Sequence, residues 1–233
     1  FLLTRGIELK RYGGALLWEP ETVRNLAGQP FKVFTPFWRK CRTLPIAPVL
    51  VSPKVRFSTW QRDVKPADRL SDWQLLPTRP NWAQAWEQQW QPGERGAQLQ
   101  LDKFLHGAVA DYDVGRNYPA RNTTSRLSAH LHFGEIAPAR VFHAARLAGA
   151  ANPVLEQQTE KFLSELGWRE FSTHLLYHFP TLPEEPFKAD FSAFPWLGGA
   201  RELRAWQRGE TGYPMVDAGM RELWQTGWMH NRV

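Results

Sequence analysis

Seven prolines fall between Cys41 and Arg95, at positions 45, 48, 53, 66, 77, 80 and 92, and they constrain the fold more than any other feature of the chain. Each lacks an amide donor and fixes φ, so no long helix or interior strand can cross this stretch, and it reads as an extended interdomain connection. Trp60, Trp73, Trp82, Trp86 and Trp90 lie in or near it, and apolar groups of that size predict packing against a domain rather than free coil. On the N-terminal side, the apolar run Gly14–Trp18 predicts a strand entering a loop, and Pro20–Val23 the start of a helical or turn segment. On the C-terminal side, Leu101, Phe104, Leu105 and Ala108 fall at i, i+3, i+4 and i+7, one face of a helix. Val141, Ala144, Ala145 and Ala148 repeat the spacing behind Pro138, which suits a first helical turn. A third helix is expected over Glu156–His178. A fourth begins near Pro214, with Val216, Met220, Leu223 and Trp224 on its inner stripe, and it or a successor is expected to be running still at the last residue. The divisions are 1–40, 41–95 and 96–233, and the last is mainly α.

A chain of 233 residues can bury one large core, or one domain and part of another. Its formal charge of +6, with 29 basic residues against 23 acidic, favours an anionic partner such as nucleic acid, although scattered surface charge would give the same sum. Most of the basic residues are arginine, whose planar fork pairs phosphate oxygens and stacks on rings. Cys41 is the one cysteine, so neither an internal disulfide nor a multi-cysteine metal site can form, and it is expected to be a buried small hydrophobe in a reducing compartment. The opening Phe1-Leu2-Leu3 is too short for the apolar core of a signal peptide, and no run reaches the length of a membrane span. The expectation is a soluble, cytoplasmic, monomeric protein. In that setting the sequon Asn122-Thr123-Thr124 is idle.

Three constellations carry possible chemistry. Thr124-Ser125-Arg126-Leu127-Ser128, with Tyr112 and Arg116 upstream, offers hydroxyls, backbone amides and guanidinium groups suited to an anion with several acceptor oxygens. The plainer reading is a Ser or Thr capping the next helix. Glu165, Trp168 and Arg169 at i, i+3 and i+4 share a helix face, so a carboxylate, an indole and a guanidinium line one wall. The plainer reading there is a weak Glu165–Arg169 ion pair beside a half-buried tryptophan. Trp228-Met229-His230-Asn231-Arg232 is an improbable run of uncommon residue types, in which His230 is expected to be structural. No residues suggest a metal site.

Taken in order, Trp168-Arg169-Glu170-Phe171, Thr211-Gly212-Tyr213-Pro214 and Thr226-Gly227-Trp228-Met229-His230-Asn231-Arg232 resemble the photolyase/cryptochrome flavoprotein family, and most closely its class I cyclobutane pyrimidine dimer photolyases. The resemblance implies that residues 1–40 are the tail of an α/β, Rossmann-like antenna domain, that 41–95 form the linker, and that 96–233 are a truncated helical FAD-binding domain. It implies a fragment that lacks most of the first domain and the end of the flavin site. By the same resemblance, Tyr112, Thr124, Ser125, Arg126, Leu127, Ser128, Phe162, Arg169 and Trp228 hold FAD. Glu165, Trp168 and Asn231 contact a lesion flipped from DNA, and Arg116 and Arg232 contact DNA. Trp196 is the outer member of a tryptophan electron-transfer chain.

Physics supports the lesion assignment: an ejected thymine pair needs an apolar surface for the stacking it has lost, and a polar group for its ring edges. The family mechanism implies that light-excited, fully reduced FAD lends an electron to the dimer, which splits and returns it. The partner implied is ultraviolet-damaged DNA, and a folate or deazaflavin antenna is possible. The leading alternative is a cryptochrome-type blue-light receptor with FAD but no repair. Glu165 beside Trp168 favours repair, and the 6-4 photoproduct branch and a plain DNA-binding helical module fit less well.

Overall fold

The computed structural model describes residues 3–10, 12–50, 68–195 and 197–233. The ordered elements are helical: α1 (Phe34–Cys41), α2 (Glu94–Leu105), α3 (Tyr112–Gly115), α4 (Ser128–His132), α5 (Pro138–Ala151), α6 (Pro153–His178), α7 (Ala200–Arg208) and α8 (Pro214–Thr226), with single-turn 3-10 helices between them and no strand among the described residues. The chain forms two compact units, Phe1–Val49 with Pro92–Trp196, and Leu50–Gln91 with Leu197–Val233. This grouping cuts across the sequence divisions at 40 and 95.

The first unit is organised around α6, which at 1.5 Å per residue is about 39 Å long. Asn152 caps it by accepting the Val154 N–H at 3.1 Å, and Pro153 occupies the first turn, so the helix starts ahead of the expected Glu156. α5 runs beside it, close enough that a Cβ on Gly149 would collide with Thr159. α1 lies along another side, its Trp38 ring 2.6 Å from where a Gly167 Cβ would stand. Phe37, Cys41, Leu101, Phe104, Val109, Val141, Ala145, Phe162, Leu163 and Phe171 are buried between these helices. α1 thus belongs to the α6 core, because Phe37 and Phe171 pack with ring centroids 5.1 Å apart.

Four side chains of α6 tie down the preceding segment. Glu170 accepts the N–H groups of Leu17 (2.7 Å) and Trp18 (3.4 Å), Arg169 donates to the Ala15 carbonyl (2.9 Å), and His174 Nε2 accepts the Phe31 N–H (3.1 Å). His178 Nε2 lies 3.1 Å from the Pro20 carbonyl. The strand expected at Gly14–Trp18 is absent: Ala15–Trp18 is a series of bends in which Glu170, not a sheet neighbour, satisfies the Leu17 and Trp18 amides. The helical segment expected at Pro20 is one 3-10 turn, Pro20–Thr22. α2 stops at Leu105, and Ala108 belongs to a separate 3-10 turn beyond Gly107.

In the second unit, two tryptophans of the proline-rich stretch close the end of α8. Trp86 Nε1 donates to the Trp224 carbonyl (3.1 Å) and Trp90 Nε1 to that of Thr226 (2.6 Å), satisfying carbonyls that a helix C-terminus leaves bare. Trp82 packs edge-on against Trp86, centroids 5.1 Å apart, whereas Trp73 is exposed and Trp60 lies outside the described residues. α8 ends at Gly227, whose φ of 71° is left-handed, so the expected helix to the last residue is not formed. Met220 of its expected stripe is buried and Val216 half-buried, while Leu223 and Trp224 stay exposed. Among the described residues no helix is long and apolar enough to cross a membrane, and no three His, Cys, Asp or Glu side chains gather as metal ligands.

Candidate functional site

Tyr112 opens the single turn of α3, and Arg116 closes it by donating its N–H to the Tyr112 carbonyl at 3.1 Å. The Tyr112 ring is buried edge-on between Phe104 and Phe162, each with its centroid 5.5 Å away. The Arg116 guanidinium lies over that ring at 5.7 Å, and its Nη1 pairs with Glu165 Oε1. Burial opposes the charge on Arg116, but the Glu165 carboxylate and the Tyr112 hydroxyl outweigh it and hold the guanidinium above its ordinary pKa. The resemblance places Arg116 at DNA; in the structure its side chain is 8% exposed and pairs with Glu165, whose own side chain keeps 23% of its surface open. Arg116 is therefore the group that holds Glu165.

The ordinary Glu165–Arg169 pair does not form either. Arg169, which the resemblance places on the flavin, donates from Nη1 to Glu170 Oε1 (2.8 Å) and from Nη2 to the Ala15 carbonyl (2.9 Å). Glu170 itself is buried, and burial raises its pKa against the lowering pull of the Leu17 amide, Arg169 and the Trp18 amide. Trp168 is placed differently: it is 45% exposed, with one indole face on the Phe34 ring, centroids 3.7 Å apart and planes 10° from parallel. Phe171 meets it edge-on at 5.9 Å. Phe162, expected at the cofactor, is a core residue with its centroid 4.7 Å from Phe104.

Residues 124–128 form an irregular turn ahead of α4. Gln100 Nε2 donates to the Ser125 carbonyl (2.7 Å), the Leu127 N–H donates to Ser125 Oγ (3.4 Å), and the Leu127 side chain is buried. Arg126 has φ 51°, a left-handed conformation that costs a side-chain-bearing residue roughly 1–2 kcal/mol and persists only when its surroundings impose it. The buried Thr123 Oγ1 has no hydrogen-bond partner, and the hydroxyls of Thr124 and Ser128 make no hydrogen bond among the described residues. Gly115 backs the turn, where a Cβ would stand 2.8 Å from Thr123 Oγ1. Uncommitted hydroxyls beside an arginine in an imposed turn fit the acceptor-rich diphosphate of FAD.

In the second unit the Thr211-Gly212 turn is folded around Asp217, which accepts the Thr211 N–H (2.7 Å), the Thr211 hydroxyl (2.6 Å) and the Gly212 N–H (2.9 Å). The Thr211 hydroxyl, with those two amides and Arg221, keeps this carboxyl below its usual range. After Gly227, Thr226 Oγ1 accepts the Trp228 N–H (3.1 Å), and the buried His230 accepts the Arg232 N–H at Nδ1 (3.1 Å), the structural part expected of it. Trp228 is half-buried and edge-on to His230, and Asn231 and Arg232 are exposed. Trp196 lies outside the described residues. Sequence reasoning missed Phe34, Glu170 and Asp217. Only Asp217 had a local signal, an acid in the first turns of a helix preceded by Thr-Gly.

Two family descriptions match this chain: DNA photolyase over residues 1–54, and the FAD binding domain of DNA photolyase over residues 162–233. A deoxyribodipyrimidine photo-lyase of Agrobacterium fabrum is 44% identical over 235 residues, covering 98% of this chain and 47% of that protein. Cryptochrome-1 of Arabidopsis thaliana is 34% identical over 240 residues, covering 100% and 35%. Among solved structures, a bacterial class III photolyase from Agrobacterium tumefaciens superposes with a TM-score of 0.84 at 43% identity, covering 99% of this chain and 47% of that one. The chain spans about half the length, or less, of the curated relatives it matches.

Proposed function

Because this chain belongs to the photolyase/cryptochrome family, we propose that it serves light-driven repair of cyclobutane pyrimidine dimers in ultraviolet-damaged DNA, with reduced FAD as cofactor. The observation that carries the reading is the pairing, on one helix, of a carboxylate held by a buried arginine with an indole that is stacked on Phe34 and still 45% exposed. Glu165 keeps an oxygen for the edge of a flipped base, and Arg116 fixes where that oxygen stands. Trp168 offers the apolar plane that replaces stacking lost when the dimer leaves the duplex, worth roughly 1–3 kcal/mol per base. Thr124, Ser125, Arg126 and Ser128 would hold the diphosphate of FAD, with Leu127 buried as the anchor of their turn. When bound, the flavin supplies the electron that splits the dimer. The chain's own residues bind and orient the lesion and exclude water from it.

Asn231, Trp228 and Arg232 belong to the same reading, Asn231 at the lesion, Trp228 at the flavin and Arg232 at DNA phosphate, and so does Trp196 as an outer electron donor. A folate or deazaflavin antenna would complete the light harvesting. The class III description of the 43%-identical relative favours that class over class I. A cryptochrome-type receptor is the second reading, favoured by plant cryptochromes at 34% and 35% identity. The test is loss of dimers from irradiated oligonucleotide by the full-length, flavin-reduced protein, in blue light and in darkness. Light-dependent repair that disappears in Glu165→Ala or Trp168→Ala supports the first reading, and bound FAD without repair supports the second.

A further inference from the structure

We infer that Phe34 is a positioning residue for lesion recognition, acting through Trp168; the inference rests on the reading of Trp168 as the surface on which a flipped base stacks. Aromatic pairs usually keep centroids 4.5–7 Å apart. Phe34 and Trp168 lie at 3.7 Å and 10° from parallel, so Phe34 is stacked directly on one face of the indole. Phe171 meets the indole at 5.9 Å, yet Trp168 remains 45% exposed, so part of its surface away from Phe34 is accessible to a ligand.

Phe34 cannot easily withdraw. It is the first residue of α1, and Trp38, one turn on, lies 10° from parallel with it at 6.3 Å, so Trp38, Phe34 and Trp168 run as a row of near-parallel rings. α1 is held against α6 at three further places: Trp38 over Gly167, Phe37 against Phe171 and His174, and Arg42 paired with Glu160 at 3.4 Å. The platform is therefore ordered before any base arrives, and its inner face is closed to one. Without the covering ring, the indole regains rotamer freedom that a stacked base must take away again. Immobilising such a side chain weakens binding by about 2- to 10-fold.

The test uses the full-length flavoprotein in darkness, with fluorescence anisotropy on a dimer-containing oligonucleotide and on its undamaged counterpart. Phe34→Leu keeps an apolar residue of similar bulk but loses the plane, and it is expected to weaken dimer binding about 2- to 10-fold. Affinity for undamaged DNA and the flavin absorbance should not change. Phe34→Tyr should bind as the wild type does, and in a Trp168→Ala background Phe34→Leu should add nothing. A Phe34→Leu protein that discriminates like wild type overturns the inference, and so does an undiminished effect in the Trp168→Ala background or a parallel loss of undamaged-DNA and flavin binding. If the wild type itself shows no preference for the dimer, the reading on which the inference rests falls with it.

Discussion

His174 should make this protein acid-sensitive well above the carboxylate range. Its ring is buried, its Nε2 accepts the Phe31 N–H at 3.1 Å, and it stacks on Phe171 with planes 16° apart. A proton on Nε2 would turn the acceptor into a donor facing a donor, next to His178, whose centroid is 4.5 Å away. Burial first, then His178, lowers its pKa from 6.5 to about 4. Between those values the unfolded chain binds more protons than the folded one, so this contribution is complete above pH 6.5, shrinks as the pH falls and is lost below about 4. At 1.36 kcal/mol per tenfold, the total is roughly 3 kcal/mol, or about 6–12 °C in Tm for a chain of this size. Glu170, with its raised pKa, contributes in the opposite sense, favouring the fold at low pH, so the useful quantity is a difference between variants. His174→Gln keeps an oxygen that can accept the Phe31 amide but does not titrate. Thermal unfolding at pH 7.5, 6.5, 5.5 and 4.5 should find the variant less stable at the highest pH, through lost ring contacts, with the gap closing as the pH falls. A gap that stays constant over that range refutes the argument.

Other perturbations probe separate parts of the fold. Arg116→Leu leaves the part-buried Glu165 without its partner and should cost about 2 kcal/mol in urea unfolding, below the 3–5 typical of a fully buried pair because Glu165 is partly solvated. Gly167→Ala places a Cβ 2.6 Å from the Trp38 ring and should cost about 1–3 kcal/mol as the indole shifts, with a matching change in near-ultraviolet circular dichroism. Burial, with Glu170 nearby, pushes the Cys41 thiol up to about 12, so thiol reagents at pH 8 should titrate it only after denaturant is added. Asp217→Ala removes the acceptor for two backbone amides and a hydroxyl, and should lower Tm and speed amide exchange at Thr211 and Gly212; Asp217→Asn should recover part of the loss.

Much was legible in the order of residues, because helix signals are local. Pro138 and Pro214 mark helix starts through a fixed φ and a missing amide that the first turn does not need, and the spacing of Glu165, Trp168 and Arg169 puts them on one helix whatever surrounds it. The three motifs that mark the family are contiguous stretches and are equally readable. The prolines at 77, 80 and 92 and the tryptophans between them likewise predict a segment without long elements that must nevertheless pack, as Trp86 and Trp90 do on the end of α8.

Partner choice was not legible. Arg169 is four residues from Glu165 on the same helix, the usual spacing for an ion pair, yet it turns to Glu170 and Ala15, and Glu165 is taken by Arg116 from 49 positions away. The apolar run at Gly14–Trp18 looks like a strand because its composition says only that it avoids water. Its last two residues, Leu17 and Trp18, are buried, and their amides go to Glu170 of α6, where a sheet neighbour would have taken them. Phe34 carries no mark in the sequence of its place beneath Trp168, since that contact joins residues 134 positions apart. Helices, family and the inventory of chemical groups depend on near neighbours and can be read from the order of residues. Which charge meets which, and that Phe34 is the ring stacked on Trp168, follow from the geometry with which distant segments close around α6.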